Sequence, residues 1–439
     1  MTQDEAKQVV EKILSNAKAD AVRISVNGGS SSNVRFARNT VTTSGTAQDT
    51  SVSITATFGK QSGSYSLNQF DDKTIADAVK KAEELARLAP EDKEYMPPLD
   101  PQTYPAVNAY SAETANYSPE LRAKIARECI GMAEEKNLVA AGFVDNGDNS
   151  SMFANSKGLL TYRRSTDISY SVTARTQDGT GSGWAGGGHT DAAKLEGKAI
   201  STRAIEKAIA SANPSEVLPG KYTVILEPEA VSNLLGGFGF RMDAGSADEG
   251  RSFFAEKDGK NKIGQQVFPE FVNIVSDPAH PDAPGSPWGE DGLPSKRVNW
   301  IENGVIRNLR YSRYWAQKQG KEPLPAPANM IMTGGTASLE DLIASTDKGI
   351  LVTRFWYIRD VDPKTMLLTG LTRDGTFWIE NGKIARPVKN FRFNESPVAV
   401  LKNIEMMSKA VRMQNGASAS LIPALKVKEF TFSSLSDAV

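Results

Sequence analysis

The residues best suited to bind zinc are scarce in this sequence. Its 439 residues include two histidines, His189 and His280, and one cysteine, Cys129. A helical zinc site needs two histidines about four positions apart on one face, whereas these two lie far apart in the chain. Cys129 falls on the apolar face of a predicted helix, which favours a place in a hydrophobic core over a metal-binding or catalytic role.

A glycine pattern that could bind a dinucleotide occurs in "TGSGWAGGGH". Gly181, Gly183 and Gly186 have the spacing G-x-G-x-x-G. The strands before it alternate polar and apolar residues, as in an antiparallel sheet, and no parallel strand follows at the distance of a βαβ unit. We therefore predict a mobile loop with no nucleotide site, and we expect His189 at its end to be solvated.

Carboxylates occur in two patterns that suit a hydrolase or a peptide cleft. Asp360 and Asp362 stand two apart in "RDVDP", and side chains two apart on a strand share one face. Such pairs are also routine on surface strands. Glu249 and Arg251, in "ADEGRSFF", suit either a salt-bridged loop anchored by the two aromatic residues or one wall of a peptide-binding cleft. Composition favours the loop, and the cleft stays open as an alternative.

Glycines interrupt the best-marked strand-to-helix unit, "LEPEAVSNLLGGFGFRMDAG". Pro228 and Glu229 suit the first turn of a helix, since proline fixes φ and a carboxylate favours the positive end of the helix dipole. Gly236 and Gly237 then follow, with a third glycine two positions on. Each costs a helix interior roughly 1 kcal/mol relative to alanine. We therefore predict that the helix breaks here and that Gly236 and Gly237 let backbones approach closely.

The composition is that of an ordinary globular chain. Hydrophobic residues make up 39%, charged residues 23%, and the net charge is −1, so there is no basic excess to bind phosphate. No apolar run approaches the roughly 18 residues of a membrane span, and the acidic, amphipathic N terminus is unlike a secretory signal. We expect a cytoplasmic protein that makes no direct contact with nucleic acid and none with a membrane.

The pattern of helix and strand signals predicts an α+β fold. Thr2 and Glu5 suit a capping box at the first helix, and Ser118 and Pro119 suit the start of a later one. The string "WIENG" occurs twice in the C-terminal half, and each Asn-Gly predicts a hairpin. We divide the chain into an N-terminal α/β subdomain, a proline-rich connection, a second α/β subdomain and a C-terminal β-rich domain, at residues 1–90, 91–117, 118–215 and 216–439.

Many segments, in order, resemble one known family. They include "PGKYTVILEPEAVSNLL", "DEGRSFF", "IGQQVFP", "GLPSKRVNWIENGVI" and a long stretch from "VTRFWYIRDVDP" to "FRFNESP". These resemble the TldD/PmbA family, whose members are often labelled modulators of DNA gyrase. The resemblance runs from about residue 20 to the C terminus. It implies an N-terminal α/β portion followed by a C-terminal, mostly antiparallel, barrel-like β domain.

The resemblance also implies two kinds of subunit. The TldD type is a metallopeptidase with an H-E-x-x-x-H helix and a later cysteine ligand. The PmbA type, also called TldE, lacks those ligands and pairs with it. Where the metal-binding type has His, Glu and His, this chain has Gly236, Gly237 and Arg241, and no cysteine follows Cys129. Glycine has no donor atom and arginine stays protonated, so we expect no metal, no other cofactor and no catalytic residue.

The resemblance therefore predicts a metal-free, PmbA/TldE-like subunit of a peptidase complex that processes peptides or unfolded polypeptides. Its expected partner is a TldD-type chain, with a homodimer as the second choice. We expect no peptidase activity from the chain by itself. Two alternatives remain: an independent hydrolase that uses carboxylates or a Ser/Lys pair, and a gyrase-associated binding protein. The near-neutral charge weighs against direct DNA contact in the latter.

Overall fold

The computed structural model describes residues 1–415 and 418–436. Its helices are α1 (Gln3–Asn16), α2 (Asp72–Leu88), α3 (Ala112–Ala115), α4 (Pro119–Glu135), α5 (Gly197–Ala210), α6 (Pro228–Leu235), α7 (Phe238–Arg241), α8 (Ala244–Asp248), α9 (Arg313–Gln319), α10 (Leu339–Ala344) and α11 (Pro397–Lys402). Its first strands are β1 (Ala21–Ala37), β2 (Thr40–Phe58), β3 (Gln61–Leu67), β4 (Leu138–Asn155), β5 (Leu160–Thr176) and β6 (Ser182–His189).

The remaining strands belong to the C-terminal half. They are β7 (Gly220–Leu226), β8 (Ile274–Ser276), β9 (Val298–Glu302), β10 (Val305–Ile306), β11 (Met330–Met332), β12 (Lys348–Asp362), β13 (Leu367–Glu380), β14 (Lys383–Pro387), β15 (Asn390–Glu395), β16 (Ile404–Met407), β17 (Val411–Asn415), β18 (Ser418–Ile422) and β19 (Leu425–Ser436). Among the described residues, no helix has the length and apolar character that crossing a membrane requires.

The N-terminal half is built on one antiparallel sheet of six strands, in the order β3-β2-β1-β4-β5-β6. At its centre, residues 23–36 of β1 pair with residues 155–142 of β4. The two predicted subdomains, 1–90 and 118–215, therefore share one sheet. Where the chain divides into domains stays a prediction.

Two pairs of helices cover different parts of this sheet. On α1 and α2, Ile13 and Ile75 are fully buried with Ile24 of β1. On α4 and α5, Cys129 packs in a second cluster with Tyr170 of β5. The predicted core position of Cys129 is confirmed, and burial raises the pKa of its thiol. The predicted capping box at Thr2 and the N-cap at Ser118 are also confirmed.

The glycine-rich stretch before α5 is the edge strand β6, paired with β5, so the predicted mobile loop is wrong. Its glycines serve the packing of a helix. A Cβ atom on Gly183 would lie 2.2 Å from the Ala204 carbonyl oxygen of α5, and one on Gly181 would lie 2.3 Å from the Ala208 oxygen. Glycine at these positions lets α5 lie directly on the strand backbone.

The C-terminal half contains a closed barrel. Strands β12, β7, β19, β15 and β13 are hydrogen-bonded in that order, and β13 returns to pair with β12. All of these pairs are antiparallel except β12 with β7. A second sheet has the order β10-β9-β8-β11-β18-β17. The α+β fold with a β-rich, barrel-like C-terminal domain is confirmed.

Both predicted Asn-Gly hairpins are confirmed. The first joins β9 to β10 and the second joins β13 to β14. The turn residues Asn303, Gly304, Asn381 and Gly382 all have positive φ, between 50° and 73°. This is the backbone geometry that favours Asn-Gly in two-residue turns.

Candidate functional site

The helix that begins at Pro228 breaks where the sequence predicts. Helix α6 ends at Leu235, a turn follows, and α7 begins at Phe238. The φ angles of Gly236 and Gly237 are −54° and −102°, which any residue adopts.

The predicted close approach of another backbone to these two glycines is wrong. A Cβ atom on Gly236 would meet only the carbonyl oxygens of its own helix, the nearest being that of Ser232 at 3.3 Å. A Cβ atom on Gly237 would meet the Arg241 side chain, whose Nε lies 3.2 Å away. The reason is that Arg241 takes the space beside Gly237. The third glycine, Gly239, is the one that packs against another segment, since an added Cβ atom would lie 3.0 Å from Cγ of Pro327.

Arg241 crosses from α7 to the barrel strand β12. Its Nη2 atom lies 2.6 Å from Oδ1 of Asp360. Gly237, Arg241, Asp360 and Asn233 line a small cavity of about 90 Å³ there. Of the three positions that the family resemblance assigns to metal ligands, two line this cavity, and Gly236 does not. The space beside the helix break is thus occupied by an ion pair.

These residues do not fit a metal ion. Glycine offers no side-chain donor, and the guanidinium of Arg241 is a cation bound to the nearby carboxylate. Within residues 1–415 and 418–436, no three His, Cys, Asp or Glu side chains come together as metal ligands would.

The two carboxylates of "RDVDP" do not act as a pair. Asp360 binds Arg241, while Asp362 accepts hydrogen bonds from the Thr365 hydroxyl at 2.7 Å and from the Lys364 amide at 3.0 Å. An irregularity in the β12–β13 register separates the two aspartates. These hydrogen bonds, first that of Thr365, lower the pKa of Asp362. The geometry gives no support to a two-carboxylate hydrolase.

Glu249 and Arg251 form an exposed ion pair just after α8. The Nε atom of Arg251 donates to Oε2 of Glu249 at 2.9 Å, and the following Phe254 is fully buried in the C-terminal core. Neither charged residue lines the cavity between the two halves of the molecule. Their role in a peptide cleft therefore stays a prediction.

A cavity of about 770 Å³ lies between the N-terminal sheet and the C-terminal domain. We call it the interdomain cavity. This volume is within the range of ligand-binding sites in proteins. Its walls come from β6, α5, the start of α6, strand β12 and strand β17, with residues that include Gly186, His189, Glu227, Glu229, Thr353 and Arg412.

The start of α6 brings two carboxyl groups to this cavity. Lys207 of α5 binds both oxygens of Glu227, at 2.7 and 2.6 Å. Glu229 accepts one hydrogen bond, from the Asn233 amide at 2.9 Å. Burial raises the pKa of Glu229, an effect that Asn233 and Arg354 oppose. A carboxyl group with a raised pKa in a cavity is a typical feature of binding and catalytic sites.

At another wall of the cavity, His189 is half-buried, so the predicted solvated position is wrong. Its Nδ1 atom accepts a hydrogen bond from the Asp191 amide at 2.9 Å. Arg412 of β17 covers the end of β6, since it donates to the carbonyl oxygens of Gly188 and Asp282, both at 2.6 Å. Burial, and then the charge of Arg412, lower the pKa of His189. Burial also lowers the pKa of Arg412 to about 10.

Sequence reasoning singled out Gly186, His189 and Glu229 but missed that they line one cavity. The pattern around Glu229 indicated only the first turn of a helix, which is also correct. The cavity walls come from β6, α6, β12 and β17, which are far apart in the chain. No local signal could reveal that these elements meet.

Comparison with known proteins identifies the class. Three family models match the chain, described as PmbA/TldA metallopeptidase domain 1, central domain and C-terminal domain, over residues 22–86, 113–212 and 219–434. Together they cover most of the chain. The chain therefore belongs to the TldD/PmbA family of metallopeptidase-like proteins.

Particular relatives share modest identity. Metalloprotease PmbA of Escherichia coli O157:H7 is 21% identical over 437 residues, which is 94% of this chain and 90% of the relative. The Metalloprotease TldD homolog of Buchnera aphidicola is 26% identical over 231 residues, which is 49% of this chain and 46% of the relative. The match to a Methanothermobacter thermautotrophicus metalloprotease covers 62% of its length. The chain thus spans less than two thirds of the length of most of the curated relatives it matches.

A solved structure shares the whole fold. TldE from Thermococcus kodakarensis superposes with a TM-score of 0.86 at 18% identity, covering 98% of this chain and 99% of that one. At this identity the likeness shows the fold alone.

Proposed function

We propose that this chain is the metal-free, PmbA/TldE-like subunit of a TldD/PmbA-type metallopeptidase complex. In that complex it completes the cleft or scaffold that receives peptides or unfolded polypeptides in the cytoplasm. The observation that carries the proposal is the ion pair of Arg241 with Asp360 at 2.6 Å. It occupies the place where the family resemblance assigns a histidine ligand.

A guanidinium at this position opposes metal binding in two ways. It repels a divalent cation, and it binds the neighbouring carboxylate that could otherwise act as a ligand. Gly237 leaves the room that the Arg241 side chain fills. The two departures from the metal-binding pattern therefore act together: Gly237 leaves space for Arg241, and Arg241 forms the ion pair between α7 and β12.

The family membership supports a role in peptide processing. Relatives of this chain carry the names Metalloprotease PmbA and Metalloprotease TldD homolog. A chain that keeps the family fold but has Gly236, Gly237 and Arg241 where the resemblance assigns His, Glu and His is best explained as one half of a shared enzyme. A homodimer is the second arrangement that fits.

The test compares the purified chain with its complex. The metal content of the chain should be far below one zinc ion per chain, and the chain alone should not cleave an unstructured peptide. The mixture with a TldD-type chain from the same source should cleave it, with sensitivity to a chelator. Tightly bound zinc near one ion per chain, or chelator-sensitive proteolysis by this chain alone, would contradict the proposal.

A further inference from the structure

Of the two carboxyl groups at the start of α6, Glu229 is the one without an ion-pair partner among the described residues. Its neighbour Glu227 is neutralised by Lys207. In the described part of the chain, no Lys, Arg or His nitrogen forms an ion pair with Glu229, although its side chain lines the interdomain cavity. Buried carboxylates in proteins are normally paired with a cation or become protonated.

The nearby cation Arg354 is bound elsewhere. Its Nε atom donates to the fully buried Asp374 at 2.8 Å, and its guanidinium lies 4.8 Å from the centre of the Trp184 ring. The charge of Arg354 reaches Glu229 only from a distance and acts third, after burial and Asn233, on the pKa of that group. The residues that the structure describes thus supply no counter-ion in contact with Glu229.

The Glu229 carboxyl is nevertheless held in a defined position. Asn233 donates to its Oε1 atom at 2.9 Å, and the Oδ1 atom of Asn233 accepts from the Phe355 amide of β12 at 3.1 Å. The hydrogen bond from the Phe355 amide fixes the orientation of the Asn233 side chain. Among the described residues, Asn233 is the hydrogen-bond donor to Glu229, which leaves its second oxygen for a ligand.

The cavity favours an organic cation over a metal ion. A metal site would need further His, Cys, Asp or Glu ligands, and none gather with Glu229 in residues 1–415 and 418–436. A primary ammonium group needs only one carboxylate and a few acceptor oxygens. The cavity volume of about 770 Å³ is large enough to receive the end or a side chain of a peptide.

We propose that Glu229 binds the primary ammonium group of a peptide, either its amino terminus or a lysine side chain, in the interdomain cavity. This inference rests on the proposed function as a peptide-handling subunit. Glu229 is then a specificity residue, because the ammonium group of the bound peptide acts as the counter-ion of its carboxylate.

The experiment measures binding of three peptide amides to the full chain by calorimetry. Ala-Ala-Ala-amide carries a free amino terminus, N-acetyl-Ala-Ala-Lys-amide carries only the lysine ammonium, and N-acetyl-Ala-Ala-Ala-amide carries no charge. We expect at least one charged peptide to bind about tenfold or more tightly than the neutral one, since a hydrogen bond between charged groups is stronger than one between neutral groups. Which charged peptide binds identifies the source of the ammonium group.

The variant Glu229→Gln should abolish this preference. The matched control is Glu196→Gln, an exposed carboxylate at the rim of the same cavity, which should change the preference by no more than about twofold. If Glu229→Gln folds poorly, Glu229→Asp keeps the charge and should reduce the preference without abolishing it.

Two results would overturn the inference: no preference for either charged peptide, including no binding at all, or an unchanged preference in Glu229→Gln. These results leave the proposed function standing when the complex with a TldD-type chain still cleaves peptides. Conversely, an inactive mixture would contradict the proposed function even if Glu229 binds ammonium groups.

Discussion

Asp374 is a fully buried carboxylate whose partners come from both halves of the molecule. It accepts hydrogen bonds from Arg354 Nε in the barrel at 2.8 Å and from the Ser182 hydroxyl in β6 at 2.5 Å. Removing one member of a buried ion pair leaves the other charge uncompensated, at a cost of about 3–5 kcal/mol. We predict that Asp374→Ala lowers the free energy of unfolding by this amount in a denaturant titration.

The control for this prediction is Glu249→Ala. It breaks an ion pair in which both side chains are exposed, and such pairs contribute little to stability because water screens the charges. A loss of similar size in both variants would show that the buried contact between β6 and the barrel carries no special weight.

Glu229 predicts a pH dependence of stability. Burial raises its pKa in the folded chain above the ordinary value near 4.5, against the opposing effects of Asn233 and Arg354. The folded state therefore holds a proton that the unfolded state releases first. The stability that this group contributes is fully present below about pH 4.5 and is lost as the pH rises through the folded pKa. Glutamine stays neutral at every pH. The melting temperature of the Glu229→Gln variant should therefore rise relative to that of the natural chain as the pH increases from 4 to 7. A difference that stays constant over this range would contradict the prediction.

At the scale of the elements, glycine has different meanings at different positions. Gly183 lies under α5, where an added Cβ would meet the Ala204 oxygen at 2.2 Å, while the space around Gly131 of α4 is open. Overpacking costs about 1–3 kcal/mol, occasionally more, and alanine in a helix interior gains roughly 1 kcal/mol over glycine. We predict that Gly183→Ala destabilises the chain and Gly131→Ala stabilises it, as measured by thermal unfolding.

The variant Gly237→Ala tests whether Gly237 lies beside the Arg241 side chain, as in the structure, or against another backbone, as the sequence predicted. Its added Cβ meets only the Arg241 side chain, at 3.2 Å, which can move aside. We expect a change in unfolding free energy of less than about 1 kcal/mol. A loss as large as that of Gly183→Ala would restore the original idea that a backbone packs against Gly237.

Local signals explain which elements the sequence could predict. The capping box at Thr2 and the turns at Asn303 and Asn381 depend on residues within a few positions of each other. Strand β6 was not predicted, because its run of glycines lacks the alternation of side chains that indicates a strand. The burial of His189 was not predicted for a different reason: Arg412, which covers the end of β6, lies far away in the chain. The interdomain cavity was unpredictable on the same ground.

At the scale of the whole molecule, the proline-rich connection fastens the two halves together. The Tyr104 hydroxyl donates to the Gly292 oxygen at 2.7 Å, and Arg313 Nη2 donates to the Pro97 oxygen at 2.6 Å. The Ser182–Asp374 hydrogen bond, the Lys207–Glu227 ion pair and the hydrogen bond from Arg412 to Gly188 also join the N-terminal half to the C-terminal half. The cavity between them is therefore part of a fixed structure, which suits a site that must hold a ligand in one position.

The final prediction concerns the partner. The distal part of β12 carries the exposed side chains Trp356, Tyr357 and Val361, with exposures of 44%, 59% and 52%. Neighbouring exposed hydrophobic residues of this kind mark surfaces that other proteins cover. We predict that the chain forms a stable dimer with a TldD-type chain through its C-terminal domain, with an interface on the order of 2,000 Å² or more. Co-expression followed by sizing and mass measurement should show one complex at micromolar concentration.

The variant Tyr357→Asp places a charge at the centre of this surface, so we expect it to weaken the dimer by about tenfold or more, as aromatic residues dominate such interfaces. The control is Val41→Asp, which alters a similarly exposed residue of β2 in the N-terminal sheet, with an exposure of 46%. Equal weakening by both variants would contradict a specific role of β12 in the interface, because β2 lies in the other half of the molecule. Separate elution of the two natural chains, with the peptidase activity of the TldD-type chain unaffected by this one, would defeat the prediction of a partner altogether. A mass that instead corresponds to two copies of this chain would favour the homodimer, in which the same surface covers its own copy.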